Sequence, residues 1–213
     1  MQIAIIGAGN VGRALASSMT RAGHDVTVSA AHAEHATETA AETGARAASS
    51  TAEAISAADV VVLAVPTTAL DQLAGEIASK VAGKVVVDVA NRPTPNADGP
   101  ATSIAEELQA KLPNARVVKA FNTAFASRQA APRVAGIAPD GYVAGDDADA
   151  KRTTLELVES IGFRPVDAGS LAAARTLEGM AWLIIQRNLA GGTWQEAWAL
   201  VGPETAVGAD SRN

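Results

Sequence analysis

The opening of the chain constrains its fold more than any other segment. An apolar run, Met1–Ile6, leads directly into Gly7-Ala8-Gly9-Asn10-Val11-Gly12, and a helix-like stretch continues to Ala22. In a strand, G-x-G-x-x-G and helix unit, the first glycine permits the turn and the second lets a pyrophosphate approach the backbone. The third lets the helix pack close to the strand, and the free amides at the helix start face the anion. The segment therefore predicts dinucleotide binding; the alternative is a glycine-rich turn without a ligand.

Composition narrows the classes of function. The 213 residues are 48% hydrophobic, which suffices for a substantial core. The net charge of −6 argues against a broad basic surface for nucleic acid. Cysteine is absent, which excludes disulfides, thiolate catalysis and cysteine-ligated metal. Residues 1–6 are interpreted as a core strand rather than a signal peptide, and no apolar run reaches the roughly 20 residues of a membrane helix. We expect a soluble cytoplasmic protein with neither a nucleic-acid nor a membrane partner.

Strand and helix signals alternate as far as residue 120. Strands are predicted at 26–29, 46–47, 59–65, 84–89 and 116–120, with helices at 32–43, 51–58, 70–81 and 103–112. The apolar strands are continuous, as in a parallel sheet that is covered on both faces. Repeated units of this length predict an α/β fold with right-handed crossovers: a doubly wound, mostly parallel sheet of the Rossmann type.

The pattern changes beyond Phe121. Residues 123–137 are irregular, strands are predicted at 142–145 and 163–167 around a helix at 148–161, and 171–189 has helical spacing. A glycine pair then precedes 193–201, where Trp194 and Trp198 lie one helical turn apart. We expect a dinucleotide-binding domain over 1–168 and a small C-terminal helical extension over 169–213 that completes the cleft. The loop at 91–100 contains proline and glycine, and residues 202–213 are expected to be loosely ordered.

Ligands of open parallel sheets bind beyond the carboxyl ends of the strands. Pro66 and Thr67 follow one such end and are candidates to line the nicotinamide ribose. Ala90 and Asn91 follow the next, and Asn122 follows the strand after that. Each asparagine offers a donor and an acceptor for a carboxamide or ring edge. The alternative for either asparagine is a turn residue that satisfies its own backbone.

The end of the second strand bears on the choice of cofactor. An NAD site places a carboxylate there, whereas this chain has Ser29-Ala30-Ala31-His32, and Asp25 lies at the start of the strand. NADP is therefore favoured. NAD stays an alternative because the end of this strand has no arginine to bind a 2′-phosphate. Ser29 and His32 are candidates to contact a 2′-phosphate, with Arg13 as a helper. The alternative for His32 is an exposed residue at a helix start.

Four stretches together carry a resemblance to a known family: Gly7–Gly12, Val118-Lys119-Ala120-Phe121-Asn122-Thr123, Ala144-Gly145-Asp146-Asp147 and Arg164-Pro165-Val166-Asp167-Ala168-Gly169-Ser170-Leu171. They resemble the NADPH-dependent reductases of the deazaflavin coenzyme F420 and the related cytoplasmic domain of six-transmembrane metalloreductases. The resemblance spans about residues 1–190. The glycine motif is shared with many dehydrogenases, and the Phe-Asn-Thr and Asp-Ala-Gly-Ser-Leu stretches are more specific.

The resemblance implies a homodimeric Rossmann protein in which NADP(H) exchanges a hydride with F420 or a flavin stacked on the nicotinamide. It assigns the pyrophosphate to Gly7, Gly9, Asn10, Val11 and Gly12. It matches Ser29 to a serine near the 2′-phosphate, but Ala30 stands where the family usually has arginine. It matches Val65 and Pro66 to strand-end contacts and Asn122 to the segment under the rings.

Hydride transfer between bound rings needs proximity and exclusion of water rather than a nucleophile or a metal. We therefore expect no essential general acid among His24, His32 and His35, and surface positions for His24 and His35. If the protein is an enzyme, the alternative to an F420 reductase is a reductase of a small imine or carbonyl substrate. If it is not an enzyme, the alternative is an NAD(P)-binding sensor without turnover.

Three further features admit two interpretations. Arg92, Arg128 and Arg133 form either a basic patch for the acidic tail of the acceptor or scattered surface positions. Asp146-Asp147 is interpreted as a helix cap rather than a metal site. Apolar side chains of the C-terminal stretch predict a dimer interface or a lid over the cleft. They are Trp182, Leu183, Ile185, Trp194 and Trp198.

Overall fold

A computed structural model describes residues 1–92 and 102–201, which form one eight-stranded sheet with helices on both faces. The strands are β1 (Gln2–Ile6), β2 (Asp25–Ser29), β3 (Arg46–Ala47), β4 (Val60–Leu63), β5 (Val85–Asp88), β6 (Arg116–Ala120), β7 (Asp140–Gly145) and β8 (Arg164–Gly169). The helices are α1 (Asn10–Arg21), α2 (Ala33–Thr43), α3 (Thr51–Ser56), α4 (Thr67–Ile77), α5 (Ile104–Lys111), α6 (Ala126–Ala130), α7 (Ala148–Ser160) and α8 (Ala174–Leu189). A short 3-10 helix, Leu171–Ala173, precedes α8.

The strand order is β3-β2-β1-β4-β5-β6-β7-β8. Strand β1 pairs with β2 on one side and with β4 on the other. The first six strands in this order, β3-β2-β1-β4-β5-β6, are all parallel. Chain connections therefore depart from β1 in opposite directions, which opens a crevice beyond its carboxyl end. The α/β, doubly wound, mostly parallel sheet predicted from the sequence is confirmed.

Burial on both faces explains the continuous apolar strands. All residues of β4 and β5 are buried, including the terminal Asp88. Helices α1, α2 and α7 pack on one face, whereas α3, α4, α5 and the start of α8 pack on the other. No described helix combines the length and the apolar character that a membrane crossing demands.

Strand β7 reverses the direction of the sheet. It pairs antiparallel with β6, and β8 pairs parallel with β7. The carboxyl ends of β7 and β8 therefore point away from the crevice. Helix α8 returns the chain to it, because the carbonyl of Leu177 accepts a hydrogen bond from Asn122, just beyond the carboxyl end of β6.

Local signals fix several element boundaries. Ser103 caps α5 in a reciprocal capping box with Glu106. Of the pair predicted to cap α7, Asp147 does so by accepting a hydrogen bond from the amide of Ala150, whereas Asp146 Oδ1 accepts from the amide of Leu171. Gly44, with a φ of 75°, ends α2 in the left-handed region. The two-residue strand at 46–47 is confirmed by its pairing with β2.

Several boundaries differ from the sequence prediction by a few residues. The largest difference is in α4, which spans Thr67–Ile77 rather than 70–81 and begins directly after its N-cap residue Pro66 (φ −56°). The stretch at 123–137, expected to be irregular, contains the short helix α6.

Residues 193–201 do not form a second helix, although Trp194 and Trp198 lie one helical turn apart in the sequence, so the described part of the extension contains α8 and a non-helical segment. Trp194 has a φ of 58°, and its amide donates to Asn188 Oδ1. The carbonyl of Trp198 accepts from the amide of Asp140, whose Oδ2 accepts from the amide of Leu200. Backbone groups of Trp198 and Leu200 that a helix would use internally therefore bond to Asp140 at the start of β7. The predictions for residues 202–213, and for most of the 91–100 loop, lie outside the described residues.

Candidate functional site

The glycine turn is shaped by close backbone packing. Gly7 has a φ of 117°, and a Cβ there would lie 2.2 Å from the carbonyl oxygen of Ala64. A Cβ on Gly12 would lie 1.9 Å from the carbonyl oxygen of Gly7. By contrast, no atom lies within 4 Å of a Cβ built on Gly9. Gly7 and Gly12 are thus required by packing, whereas Gly9 leaves an open approach to its backbone.

The start of α1 faces this open space without a side-chain cap. Gly9 is the N-cap residue, and the first turn contains no acidic side chain. The amide of Arg13 donates to the carbonyl of Gly9 at 2.9 Å, which is the first i to i−4 hydrogen bond of the helix. The amides that come before Arg13 in the first turn therefore have no acceptor within the helix. Such amides, at the positive end of the helix dipole, suit an anion.

Three adjoining cavities extend from the glycine turn along the carboxyl ends of the strands; together they are called the crevice here. The first, of about 570 Å³, adjoins the end of β2 and is called the adenosine half. The second, of about 430 Å³, lies between the glycine turn and the ends of β4 and β5. The third, of about 140 Å³, lies between the end of β6 and α8. The second and third are called the nicotinamide half.

Most of the residues expected to bind a cofactor line the crevice. The first two cavities share Gly9, Asn10, Val65 and Pro66, and the first is also lined by Gly7 and His32. The second cavity is also lined by Val11, Thr67, Ala90 and Asn91. The lining of the third cavity includes Val11, Asn91 and Asn122. Gly12 lies beneath the turn and is buried. Ser29 lies outside the lining because it is buried, with its hydroxyl 3.3 Å from that of Thr51.

The adenosine half brings together charged and aromatic side chains from α1 and α2. His32 and His35 both line it, with ring centroids 5.5 Å apart. Arg13 lines it too and pairs with Glu42 at 2.7 Å. Glu38 adds a carboxylate to the same wall. His35 is exposed as predicted, but its place in this cavity was not foreseen.

The two asparagines of the nicotinamide half bond to each other. Asn91 Nδ2 donates to the carbonyl of Asn122 at 2.8 Å, and Asn122 Nδ2 donates to Asn91 Oδ1 at 2.9 Å. Asn122 Nδ2 also donates to the carbonyl of Leu177 at 3.0 Å. The Asn122 amide donors are thereby used, so this residue shapes the wall, whereas Asn91 keeps one donor hydrogen.

The backbone after β6 adopts a conformation that sequence reasoning missed. Phe121 is buried and has a φ of 62°, which is uncommon for a bulky residue. Gln129 Nε2 donates to the carbonyls of Phe121 and Ala124, each at 3.0 Å. The buried Gln129 therefore holds the turn that carries Asn122. Its polar side chain in an irregular stretch was the available signal.

The three arginines expected near the acceptor are each engaged locally. Arg92 pairs with Glu107 at 2.5 Å. Arg128 donates to the carbonyl of Arg133 and to Gln195, and Arg133 donates to the carbonyl of Gly136. Each guanidinium thus has a local partner, and Arg128 and Arg133 lie next to each other, so the basic patch stays a prediction.

His24 lies away from the crevice. Its Nε2 is 2.8 Å from Ser160 Oγ, and burial, followed by the nearby N-terminal ammonium, lowers its pKa. It is half-buried, so the predicted surface position is only partly met. Within residues 1–92 and 102–201, no cluster of three acidic, histidine or cysteine side chains is arranged to hold a metal.

The sheet order, the glycine turn and the crevice define a Rossmann-type protein. A family model described as "NADP oxidoreductase coenzyme F420-dependent" matches residues 2–92. The F420-dependent NADP reductase of Methanothermobacter marburgensis is 31% identical over 211 residues, which cover 89% of this chain and 93% of that protein. The chain belongs to the F420-dependent NADP reductase family.

Two further comparisons extend this result. A solved structure described as a "putative f420 dependent nadp-reductase from arthrobacter sp. fb24" superposes with a TM-score of 0.84 at 30% identity, covering 95% of this chain and all of that one. Metalloreductase STEAP3 of Rattus norvegicus is 32% identical over 192 residues, 84% of this chain. The chain spans only 36% of the length of that metalloreductase.

Proposed function

We propose that the protein is an oxidoreductase that transfers a hydride between NADP(H) and a deazaflavin of the F420 type. The observation that carries this proposal is the continuous crevice, which joins an open glycine turn to a cavity walled by α8. The relatives support the same reaction, because those matched over nine tenths of their length are F420-dependent NADP reductases.

The glycine turn fits the pyrophosphate of a dinucleotide. The position of a Cβ on Gly9 is open, and the first turn of α1 has no competing cap or carboxylate. The amides of Asn10 and Val11 would bind the phosphates, and Val65 and Pro66 would line the ribose beside them. Bound there, NADP(H) supplies the hydride chemistry, and the chain supplies binding, orientation and exclusion of water.

The chain's own contribution to the reaction is the shape of the nicotinamide half. Asn91 would bind the carboxamide through its remaining donor, while Asn122 holds the wall on which the ring rests. Ala181, Ile184 and Ile185 of α8 provide an apolar surface on the other side. Hydride transfer is favoured where two rings are held close together away from water.

The decisive assay follows NADPH oxidation spectroscopically with F420, FMN and FAD, and with a panel of imines and ketones. We expect turnover with F420 and little with the imines. Turnover only with an imine or ketone would favour the second enzyme class, and tight NADPH binding without any turnover would favour a sensor. Substituting each histidine by alanine should preserve turnover with saturating substrates; a thousandfold loss without weaker cofactor binding would contradict the absence of a histidine acid.

We infer a preference for NADP over NAD. His32, His35 and Arg13 offer contacts for a 2′-phosphate, and Glu38 on the same wall opposes it. Calorimetry with 2′,5′-ADP and with ADP isolates this phosphate from the rest of the cofactor. Tighter binding of 2′,5′-ADP is expected, and equal affinity for the two would remove the preference.

We also infer a homodimer. Leu183, Leu189 and Trp194 remain 56%, 67% and 43% exposed in the single chain, and they belong to α8 and the segment after it. Exposed apolar side chains of this size are typical of subunit interfaces. Light scattering at micromolar concentration should give twice the chain mass, and a monomer would contradict the inference. The cytoplasmic location and the absence of a nucleic-acid partner stay predictions.

A further inference from the structure

Three charged side chains are buried together beneath the nicotinamide half. Lys119 of β6 and Asp88 of β5 have no exposed surface, and Glu178 of α8 is 7% exposed. Lys119 Nζ lies 2.8 Å from Asp88 Oδ2 and 2.9 Å from Glu178 Oε1. They are called the buried ion cluster below. None of the three lines the crevice.

The cluster holds both polar groups of Ala90, which does line the crevice. Lys119 Nζ donates to the carbonyl of Ala90 at 2.5 Å, and the amide of Ala90 donates to Asp88 Oδ1 at 2.9 Å. An ammonium has three donors. All three donors of Lys119 are used, by Asp88, Ala90 and Glu178. The strand end beneath the nicotinamide is therefore fixed from below by buried charges.

The same cluster ties α8 to this strand end. Glu178 Oε1 accepts from Lys119 and from the amide of Ile104 at the start of α5. The preceding residue, Leu177, accepts through its carbonyl from Asn122. Two consecutive residues of α8 are thus bonded to the end of β6, and Lys119 links them to Asp88 and Ala90 at the end of β5. Three to seven residues beyond Glu178, the same helix lines the third cavity through Ala181, Ile184 and Ile185.

Stability alone is a weak reason for such a cluster. Removing charges from water is costly, and an apolar replacement of equal volume is often as stable or more stable. The cost is visible at Glu178, where burial raises the pKa despite the opposing effect of Lys119. Three apolar side chains could not form hydrogen bonds to the carbonyl and the amide of Ala90, nor could they form a polar bond to α8.

The geometry points to a positioning role: Asp88, Lys119 and Glu178 fix the Ala90 peptide relative to α8 and so set the width of the nicotinamide half. This inference rests on the proposed function, because the width matters for two rings that exchange a hydride. The cluster does not touch the reacting atoms, so its members are positioning residues.

The test compares the two halves of the cofactor by calorimetry. NADPH would reach from the adenosine half into the nicotinamide half, whereas 2′,5′-ADP would occupy the adenosine half alone. In Lys119→Met, NADPH affinity should fall about tenfold while 2′,5′-ADP affinity changes less than about twofold. Hydride transfer in a single turnover should slow by about 100-fold, because small misplacements of reacting groups have effects of that size.

A second pair of variants keeps the test decisive should Lys119→Met fail to fold. Glu178→Ala removes the acceptor for Lys119 and Ile104, and it should show the same selective loss of NADPH affinity. Glu178→Gln retains Oε1 as an acceptor and should restore most of the affinity and rate. Arg175→Ala is the matched control, because it breaks a surface ion pair between the same helix and Glu106 and lies outside the crevice lining.

The possible outcomes separate this inference from the proposed function. Equal weakening of NADPH and 2′,5′-ADP in Glu178→Ala would indicate a merely structural cluster and overturn the inference. Unchanged affinity and transfer rate in that variant would overturn it as well. Failure of the wild-type protein to bind NADPH at all would instead contradict the proposed function.

Discussion

The two halves of the crevice are built by different means. In the adenosine half, the decisive contacts are between backbone atoms: Gly7 against Ala64, and Gly12 against Gly7. In the nicotinamide half, the contacts are hydrogen bonds between side chains distant in sequence, such as Asn122 with Asn91 and Lys119 with Glu178. The first half is specified by the absence of a side chain, and the second by the exact chemistry of side chains.

This difference predicts two kinds of sensitivity. A substitution in the glycine turn should act through steric overlap, which is large and admits little compensation. A substitution in the nicotinamide half should act through unpaired polar groups, which cost less per group but are coupled to their partners. Substitutions in each half can therefore distinguish steric overlap from the loss of polar partners.

The largest effect is expected for Gly12→Ala. The new Cβ would lie 1.9 Å from the carbonyl oxygen of Gly7 and 2.9 Å from its carbon, and both belong to the backbone. The free energy of unfolding should fall by about 3 kcal/mol or more, measured by urea denaturation. Gly75→Ala in α4 is the control, because its Cβ position is open, and it should gain up to about 1 kcal/mol. A loss below about 1 kcal/mol in Gly12→Ala would contradict a steric origin.

Gly9→Ala should separate binding from folding. A Cβ at this position meets no protein atom, and the backbone φ of −76° suits alanine. The unfolding midpoint should stay at the wild-type value. The affinity for NADPH should nevertheless fall by about tenfold or more, since the methyl group would occupy the approach of the pyrophosphate. Wild-type affinity in this variant would place the phosphates elsewhere.

The asparagine pair tests the polar half. Asn122→Ala removes the bonds to Asn91 Oδ1 and to the carbonyl of Leu177, so the free energy of unfolding should fall by about 1–3 kcal/mol. A double-mutant cycle with Asn91→Ala should give a coupling of about 1 kcal/mol. Additive effects would show that the two amides act independently and would weaken the contrast between the halves.

The smallest effect is expected at the surface of α8. The hydrogen bond from Arg175, opposed by burial and assisted by Ser103, lowers the pKa of Glu106 to about 2 from 4.5. A depressed carboxyl pKa stabilises the fold above the unfolded value and loses that contribution as the pH falls from 4.5 towards 2. In Arg175→Ala the pKa should rise towards its ordinary value, as followed by carboxyl-carbon NMR.

Acid unfolding provides the complementary readout. Between pH 4.5 and pH 2 the free energy of unfolding should fall less steeply in Arg175→Ala than in the wild type, so that the difference between the two proteins disappears near pH 2. Because Arg175 is 46% exposed, the difference at neutral pH should be small. An unchanged Glu106 pKa would assign the shift to the capping box alone.

The same contrast explains what could be predicted from the sequence. The strands and the glycine turn were foreseen because parallel strands covered on both faces are continuous apolar runs, and because each glycine acts within its own turn. Asn91 and Asn122 were identified as site residues from their places after strands. Their mutual bonding was not, since 31 residues separate them and no local pattern records a partner.

Other features were beyond local reasoning for physical reasons. Lys119 stands in an apolar strand, and its partners are 31 and 59 residues away. The spacing of Trp194 and Trp198 matches one helical turn, but the backbone of Trp194 bonds to Asn188 of α8 and that of Trp198 to Asp140 of β7 instead of forming a helix. Ser29 has the residue type expected near a 2′-phosphate, yet strand burial takes it out of the cavity.

Because β7 reverses the sheet, the chain must return to the crevice through a short link between β8 and α8, and the length of this link sets the orientation of α8. Chain length between Gly169, where β8 ends, and Glu178 determines which side of α8 meets Lys119. Deleting one residue from the 3-10 helix at Leu171–Ala173 would rotate α8 by about 100° and shift it by about 1.5 Å. We therefore expect a deletion at this point to separate Glu178 from Lys119, and we expect a deletion in an exposed turn elsewhere to leave that pair intact.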